Sequence, residues 1–361
     1  MLFFELIQLA IGNRRNLSRI PTGEEWQEIY QEAEKQALVG FLLSAVEKLN
    51  ELDKASMPPM HLFYQWIGDA LQIENRNKEV TYAAAKLTRI FKNGGMRSCV
   101  LKGQGIAQLY PKPERRQPGD VDLWVEGGRE KVLKFMEDSY FDRDHVVIHH
   151  VESQKIDGVV SEIHFIPCYS CNPFLHGKLQ RFFAKNAEEL FLNYNEKLGF
   201  SYPTLRFNAV YLLSHIYMHF LYEGIGLRQF VDYYYVLRNL NLEERKQAIG
   251  NIREAGLSKI AGAVMYVLKT VCGLSEEYYV ADLDEKKGKI LLDEIIKNGN
   301  FGKYNTKLNE REGNNLIAFN LVALRRQLTF LRYYPLDVIS IPFFKVWHWT
   351  WRLYKGYLKI T

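Results

Sequence analysis

Two aspartates separated by a single residue, inside an otherwise apolar run, constrain this chain more than any other feature. The stretch is Gly119-Asp120-Val121-Asp122-Leu123-Trp124-Val125. In a β-strand, residues i and i+2 share a face, so Asp120 and Asp122 aim their carboxylates at one region. Like charges held that close repel unless something positive lies between them. A divalent ion, usually Mg²⁺ bound together with nucleotide phosphates, is the common answer. The alternative is a surface strand whose acidic side faces water.

The flanking sequence adds cations and turns. Val100-Leu101-Lys102-Gly103-Gln104-Gly105 reads as a short strand running into a glycine turn. Glycines let backbone N–H groups approach a phosphate, and a helix opening there would aim its positive end at the same anion. Lys102 would add a point charge. Pro111, Pro113, Pro118 and Gly119 exclude a long helix and predict a loop that carries Arg115 and Arg116 to the Asp120 strand. Further on, His145–Val151 and Val159–Phe165 are expected to pair as a hairpin about Asp157-Gly158. The returning strand carries Glu162, an acid that would be costly to bury unpaired, with His164 on the same face.

Leu101-Lys102-Gly103, Leu109-Tyr110-Pro111, Arg116, Asp120-Val121-Asp122-Leu123 and Glu162-Ile163-His164 together resemble a known family. It is the uncharacterised nucleotidyltransferase family of bacteria, the NTP transferase 5 group of the polymerase-β-like nucleotidyltransferase superfamily. The resemblance is specific over residues ~80–170 and looser through the remainder to about residue 350. It implies an α+β, predominantly helical protein with a small mixed nucleotidyltransferase-type sheet flanked by helices. By position it implies Asp120, Asp122 and Glu162 as catalytic residues and ligands of Mg²⁺ or Mn²⁺. Lys102, Gly103, Gly105 and Arg116 would lie at the phosphates of a donor NTP. The implied reaction moves a nucleoside monophosphate from the NTP to a hydroxyl or amine acceptor. Gln104 stands where the wider superfamily usually has Ser or Gly. Two other readings stay open: a catalytically silent binding or regulatory protein of the same fold, and an RNA-modifying transferase. The whole reading requires Glu162 to face the two aspartates, with no salt bridge filling the gap.

The rest of the chain reads as helical. Thr22 and Glu25 form a capping box opening a helix expected to reach about Asn50, with Trp26, Ile29, Tyr30, Ala33 and Ala37 as its apolar stripe. A second helix is expected from about His61 to Asn93, ended by Gly94-Gly95. From Leu179 onward the periodicity is helical, with breaks near Gly199–Pro203, Gly224–Gly226 and Gly273. This gives an N-terminal helical region (1–95), a nucleotidyltransferase core (96–178) and a C-terminal helical region (179–361). In the last of these, His215 and His219 are one turn apart, a spacing that can bind metal but lacks the Glu of a zinc-protease helix and reads first as core or wall histidines with satisfied hydrogen bonds. Arg228 and Asp232 share that spacing and read as an intrahelical ion pair, or with the histidines as lining of a substrate cleft. His164, Cys168, Cys171 and His176 have a weaker, zinc-like spacing on a proline-containing loop.

Four cysteines in 361 residues do not suggest a disulfide framework. The start shows no basic n-region, and no charge-free stretch is long enough to span a bilayer. A cytoplasmic protein is expected. Residues 322–361 hold seven Lys/Arg and one acid, so 7 − 1 = +6, against +5 for the whole chain. Trp347, Trp351, Tyr354 and Leu358 fall on one helical face, and Lys345, Arg352, Lys355 and Lys359 on another. Such a tail, 340–361, can lie on an anionic membrane surface, making the protein peripheral to the inner membrane. It can also pack on the protein, or grip nucleic acid, the weaker partner of the three.

Overall fold

A computed structural model describes residues 1–142, 145–156, 158–302, 304 and 316–357; among these, fourteen helices surround one mixed six-stranded sheet. The α+β, predominantly helical class expected from the sequence is the one the chain adopts. The strands are β1 (Ser98–Val100), β2 (Val121–Val125), β3 (His150–Ile156), β4 (Val159–His164), β5 (Tyr194–Asn195) and β6 (Phe200–Ser201), in the order β3-β4-β2-β1-β6-β5. β2 runs antiparallel to β1 and parallel to β4.

Strand alternation sorts the side chains of the sheet into two sets. Val121, Leu123 and Val125 of β2, with Val151 and Ile163, join a core that includes Val80, Leu87 and Phe91. Those three lie on the long helix α4 (Met60–Asn93), the fourth in the chain, which ends at Gly94 as expected. The opposite face of the sheet carries Asp122 and Glu162, paired directly across the β2–β4 ladder. One face is thus apolar and anchored, and the other is free to carry charge.

The chain before α4 departs from expectation. Thr22 and Glu25 do form a capping box, but the helix stops at Lys35 (α2, Gly23–Lys35) and restarts as α3 (Val39–Leu52). The break is tertiary in origin. Gln36 is fully buried, donates to the Ile295 carbonyl at 3.2 Å and accepts from the Leu227 amide at 2.9 Å, while Ala37 takes a positive φ of 56°. Ahead of it, α1 (Leu2–Ile11) was not foreseen. It inserts into the C-terminal helical core, with Gln8 donating to Thr270 and Val271 carbonyls at 3.3 Å each.

The hairpin also differs. Its first strand starts at His150 rather than His145, and its register shifts between Ser153 and Ile156. Gly158 takes the positive φ (70°) that the turn needs, whereas Asp157 lies outside the described residues. The sheet also gains β5 and β6 from beyond residue 178, two-residue strands too short to show periodicity.

The C-terminal helices α8 (Leu205–Tyr222), α9 (Leu227–Asn239), α10 (Leu242–Glu254), α11 (Ser258–Cys272) and α12 (Glu285–Asn298) form the larger core. The last helix, Pro335–Tyr354, packs through Val338 and Ile341. Phe344 stacks on Tyr169 with centroids 5.2 Å apart, and Trp351 covers Arg129 at 4.6 Å. Tyr354 is 87% exposed, and Leu358 and Lys359 lie outside the described residues. No helix among the described residues is long and apolar enough to cross a membrane.

Candidate active site

The acids meet as the strand geometry requires. Asp120 sits just before β2, Asp122 is its second residue, and Glu162 lies opposite Asp122 on β4. One carboxylate oxygen from each falls within 4.8 Å of the others. Three convergent carboxylates on two neighbouring strands are a donor set that fits a hard divalent ion. Asp120 and Glu162 border a cleft of about 230 Å³, also lined by Lys102, His149, His150 and His164, with Asp122 buried behind it. Asp120 also lines a wider cavity of about 660 Å³, bounded by Gln117–Gly119, Arg228, Tyr30 and Arg76. The wider cavity is in the size range of small-molecule sites.

Lys102 does not point away to a free phosphate position. Its Nζ is 2.9 Å from Asp122 Oδ1 and 3.0 Å from His215 Nε2. The condition set by the sequence is therefore met only in part: Glu162 faces the aspartates, but a Lys102–Asp122 salt bridge occupies one of them, and a metal could bind there only if Lys102 moved away. Burial alone would lower the Lys102 pKa, but the charges of Asp122, Asp120 and Glu162 outweigh it and raise it, keeping the ammonium protonated. From Lys102 a chain of close contacts continues: His215 Nε2 to His219 Nε2 at 3.0 Å, then His219 Nδ1 to Glu223 Oε2 at 3.0 Å. The pair at i, i+4 thus lines the cleft, as one of the two sequence readings had it.

The histidines of the hairpin complete the cleft. His164 Nε2 lies 3.2 Å from Asp122 Oδ1 and 3.1 Å from Glu162 Oε2. Burial would depress the pKa of His164, yet these hydrogen bonds raise it to about 9. Glu162 is raised by burial but pulled down further by the His164 hydrogen bond, to about 2. His150, opposite His164 across the hairpin, is pushed down to about 4, mainly by burial. His149 and His150 were absent from the sequence reading of the site. The signal was their pairing with His164, which depends on a register that the sequence did not disclose.

A pH dependence follows for the metal-free protein. Because His164 is raised in the folded state, the stability it contributes is complete below its ordinary value of 6.5 and is lost as the pH rises through about 9. Thermal unfolding of chelator-treated protein will therefore show a fall in Tm across that window. His164→Gln will flatten it; an unchanged alkaline limb in that variant would exclude His164 as the source.

The other residues singled out from the sequence serve in different ways. Gly103 takes φ 64°, and only a four-residue helix, α5 (Gln104–Ala107), follows it. Gly105 is buried where a Cβ would come within 2.7 Å of Tyr202, so packing by itself requires glycine there. Gln104 is buried and donates to Thr81 Oγ1 at 2.7 Å, tying the turn to α4. Arg116 is not brought to the acids: it is buried and bonds Asp232 through both Nε and Nη2 at 2.7 Å. Asp232 is therefore paired across the fold and not with Arg228. Arg228 instead donates to the Gln117 carbonyl at 2.9 Å, and its buried Nε has no hydrogen-bond partner. The ligand atoms of His164, Cys168, Cys171 and His176 do not converge as a metal set among the described residues.

Comparison with known proteins gives one match. The sequence model of a family described as an uncharacterised nucleotidyltransferase matches residues 22–273, more than half of the chain. No curated protein and no solved structure matches it.

Proposed function

Since the chain belongs to this family of uncharacterised nucleotidyltransferases, we propose that it is a metal-dependent enzyme moving a nucleoside monophosphate from an NTP to a hydroxyl or amine acceptor. The observation that carries this reading is the convergence of Asp120, Asp122 and Glu162, with Asp120 bordering both a cleft and a larger cavity. Asp120 and Asp122 would hold Mg²⁺ or Mn²⁺ on the donor side, and Glu162 would hold it on the acceptor side. A divalent ion bound there supplies positive charge to the phosphates and to the attacking atom.

The chain's own groups do the rest. Asp120 borders both cavities, so a nucleotide in the wider one presents its phosphates to the acids. Arg228 lines that cavity and would offer its charge to the phosphates. Lys102 would move from Asp122 to the leaving pyrophosphate, a short swing for a flexible ammonium. Glu162 orients the acceptor by a hydrogen bond as it attacks the α-phosphorus in line. The bond to pyrophosphate breaks and the acceptor's proton passes to solvent or to Glu162. The backbone of Gly103 would complete the donor side in this reading, while Gly105 is kept by packing against Tyr202 and Arg116 acts by holding the loop.

The first test is thermal. Mn²⁺ or Mg²⁺ with a nucleoside triphosphate should stabilise the fold, by about 2.7 kcal/mol at a hundredfold excess over Kd. A panel of labelled NTPs offered with cell extract then reads out transfer. Absence of any shift with any nucleotide and either ion would sink the proposal. The Lys102–Asp122 ion pair favours one second reading, a silent member in which the lysine permanently replaces the metal. Nucleotide-dependent stabilisation without transfer to any acceptor would select it.

The last helix bears on partners. Leu336, Ile339, Phe343 and Val346 are each more than half exposed and form an uncharged ridge. An exposed apolar ridge, with Lys345 and Lys355 on a different face of the helix, supports a membrane surface over nucleic acid as the partner of the tail.

A further inference from the structure

We propose that His150, Glu162 and His164 form a second, nitrogen-containing metal site that takes a transition-metal ion such as Co²⁺ or Zn²⁺. The inference rests on reading Glu162 as a metal ligand, and it adds an ion class that carboxylates alone do not select.

The three residues present one donor atom each within 4.8 Å of one another. They come from two hydrogen-bonded strands, His150 standing opposite His164 and Glu162 two residues from His164 on the same face. Ligands on paired strands are held more precisely than ligands on loops. The placement is the result of the register shift between Ser153 and Ile156. Ile156 pairs with Val159, and a regular ladder continued from that pair would set Val151 against His164. The shift moves the partner by one residue, so His150 turns onto the acidic face instead.

Two further observations point to a ligand. His150 is 8% exposed, and its buried Nδ1 has no hydrogen-bond partner. That nitrogen lies 3.2 Å from Glu162 Oε2, aimed into the cluster without making a hydrogen bond. A buried nitrogen left unsatisfied is costly unless something else fills the position. His164, for its part, has Nδ1 3.3 Å from the Ile166 carbonyl. A metal entering the cleft would displace the proton that Nε2 shares with Asp122 and Glu162, leaving Nδ1–H donating to the carbonyl, the arrangement by which a carbonyl fixes a metal-binding imidazole.

Imidazole donors shift preference away from Mg²⁺, which demands oxygen ligands and dehydrates reluctantly. Glu162 belongs to both donor sets, so one carboxylate would bridge an oxygen-rich site and a nitrogen-rich one.

The test uses metal alone, without nucleotide. Chelator-treated full-length protein titrated with Co²⁺ should develop visible d–d absorption, reversed by Zn²⁺ and not by millimolar Mg²⁺. His150→Gln should weaken Co²⁺ binding at least about tenfold. Its Mg²⁺–nucleotide thermal shift, which depends on the aspartates, should remain. Nitrogen-edited NMR gives a second readout on the unmutated protein: Zn²⁺ should move the ring resonances of His150 and His164. Unchanged Co²⁺ affinity in His150→Gln, equal competition by Mg²⁺, or unmoved histidine resonances would each overturn the proposal. Loss of nucleotide binding in the unmutated protein would instead count against nucleotidyl transfer and leave this site standing.

Discussion

Asp120→Asn will lose nucleotidyl transfer by at least about a thousandfold while the protein stays folded. Removing one ligand charge from a metal-dependent phosphoryl site withdraws several kcal/mol of transition-state stabilisation, and about 4 kcal/mol is a thousandfold. Asp120 is the suitable position for this test. Asp122 is buried and already bonded by Lys102 and His164, so changing it would also take a partner from two cations and confound the reading with stability. Asp120 is only partly buried, and no such pair depends on it. The measurements are transfer of labelled nucleotide and the Mn²⁺–NTP thermal shift, with Tm of the apo protein as the control. Asp120→Asn with undiminished turnover would refute the assignment of the acids. A loss confined to Tm would make Asp120 structural.

The second large effect concerns folding. Arg116→Met or Asp232→Asn will destabilise the protein by about 3–5 kcal/mol, because each strands a buried group that had an ionic partner. The side chains are 5% and 4% exposed, and the pair is bidentate. Tyr110 donates to the same Asp232 Oδ1 at 2.7 Å, so Tyr110→Phe removes one hydrogen bond and costs about 1 kcal/mol. The double variant Arg116→Met/Asp232→Leu, which removes both charges, should recover much of the loss. Urea unfolding at neutral pH reads all four. A single-variant loss under about 1 kcal/mol would show the pair to be dispensable. The functional consequence is positional: this pair fastens the loop that delivers Asp120 to α9.

The same loop shows how far the sequence could be read. Its prolines and glycine announced a loop, and the strand after it was legible within 119–125, although it begins at Val121, one residue after Asp120. The i, i+2 spacing was enough to place Asp120 and Asp122 together, because strand periodicity is local. The capping box at Thr22 was equally plain, since it is completed within four residues. What lay beyond local pattern was misread. A helix was continued through Gln36, where contacts with Leu227 and Ile295 end it. Arg228 was given to Asp232 by helical spacing, although Arg116 from another element had a closer claim.

Local spacing in the chain determined that acids would share a face, where the sheet would begin and where the long helix α4 would run and end. Tertiary structure decided which cation meets which acid. A one-residue shift in the hairpin puts His150 beside Glu162, and the fold presses Lys102 against Asp122. The reason is physical: periodicity fixes a side chain's direction relative to its own backbone. Its neighbours are fixed by ladder register and helix packing, which are set by residues far away in the sequence.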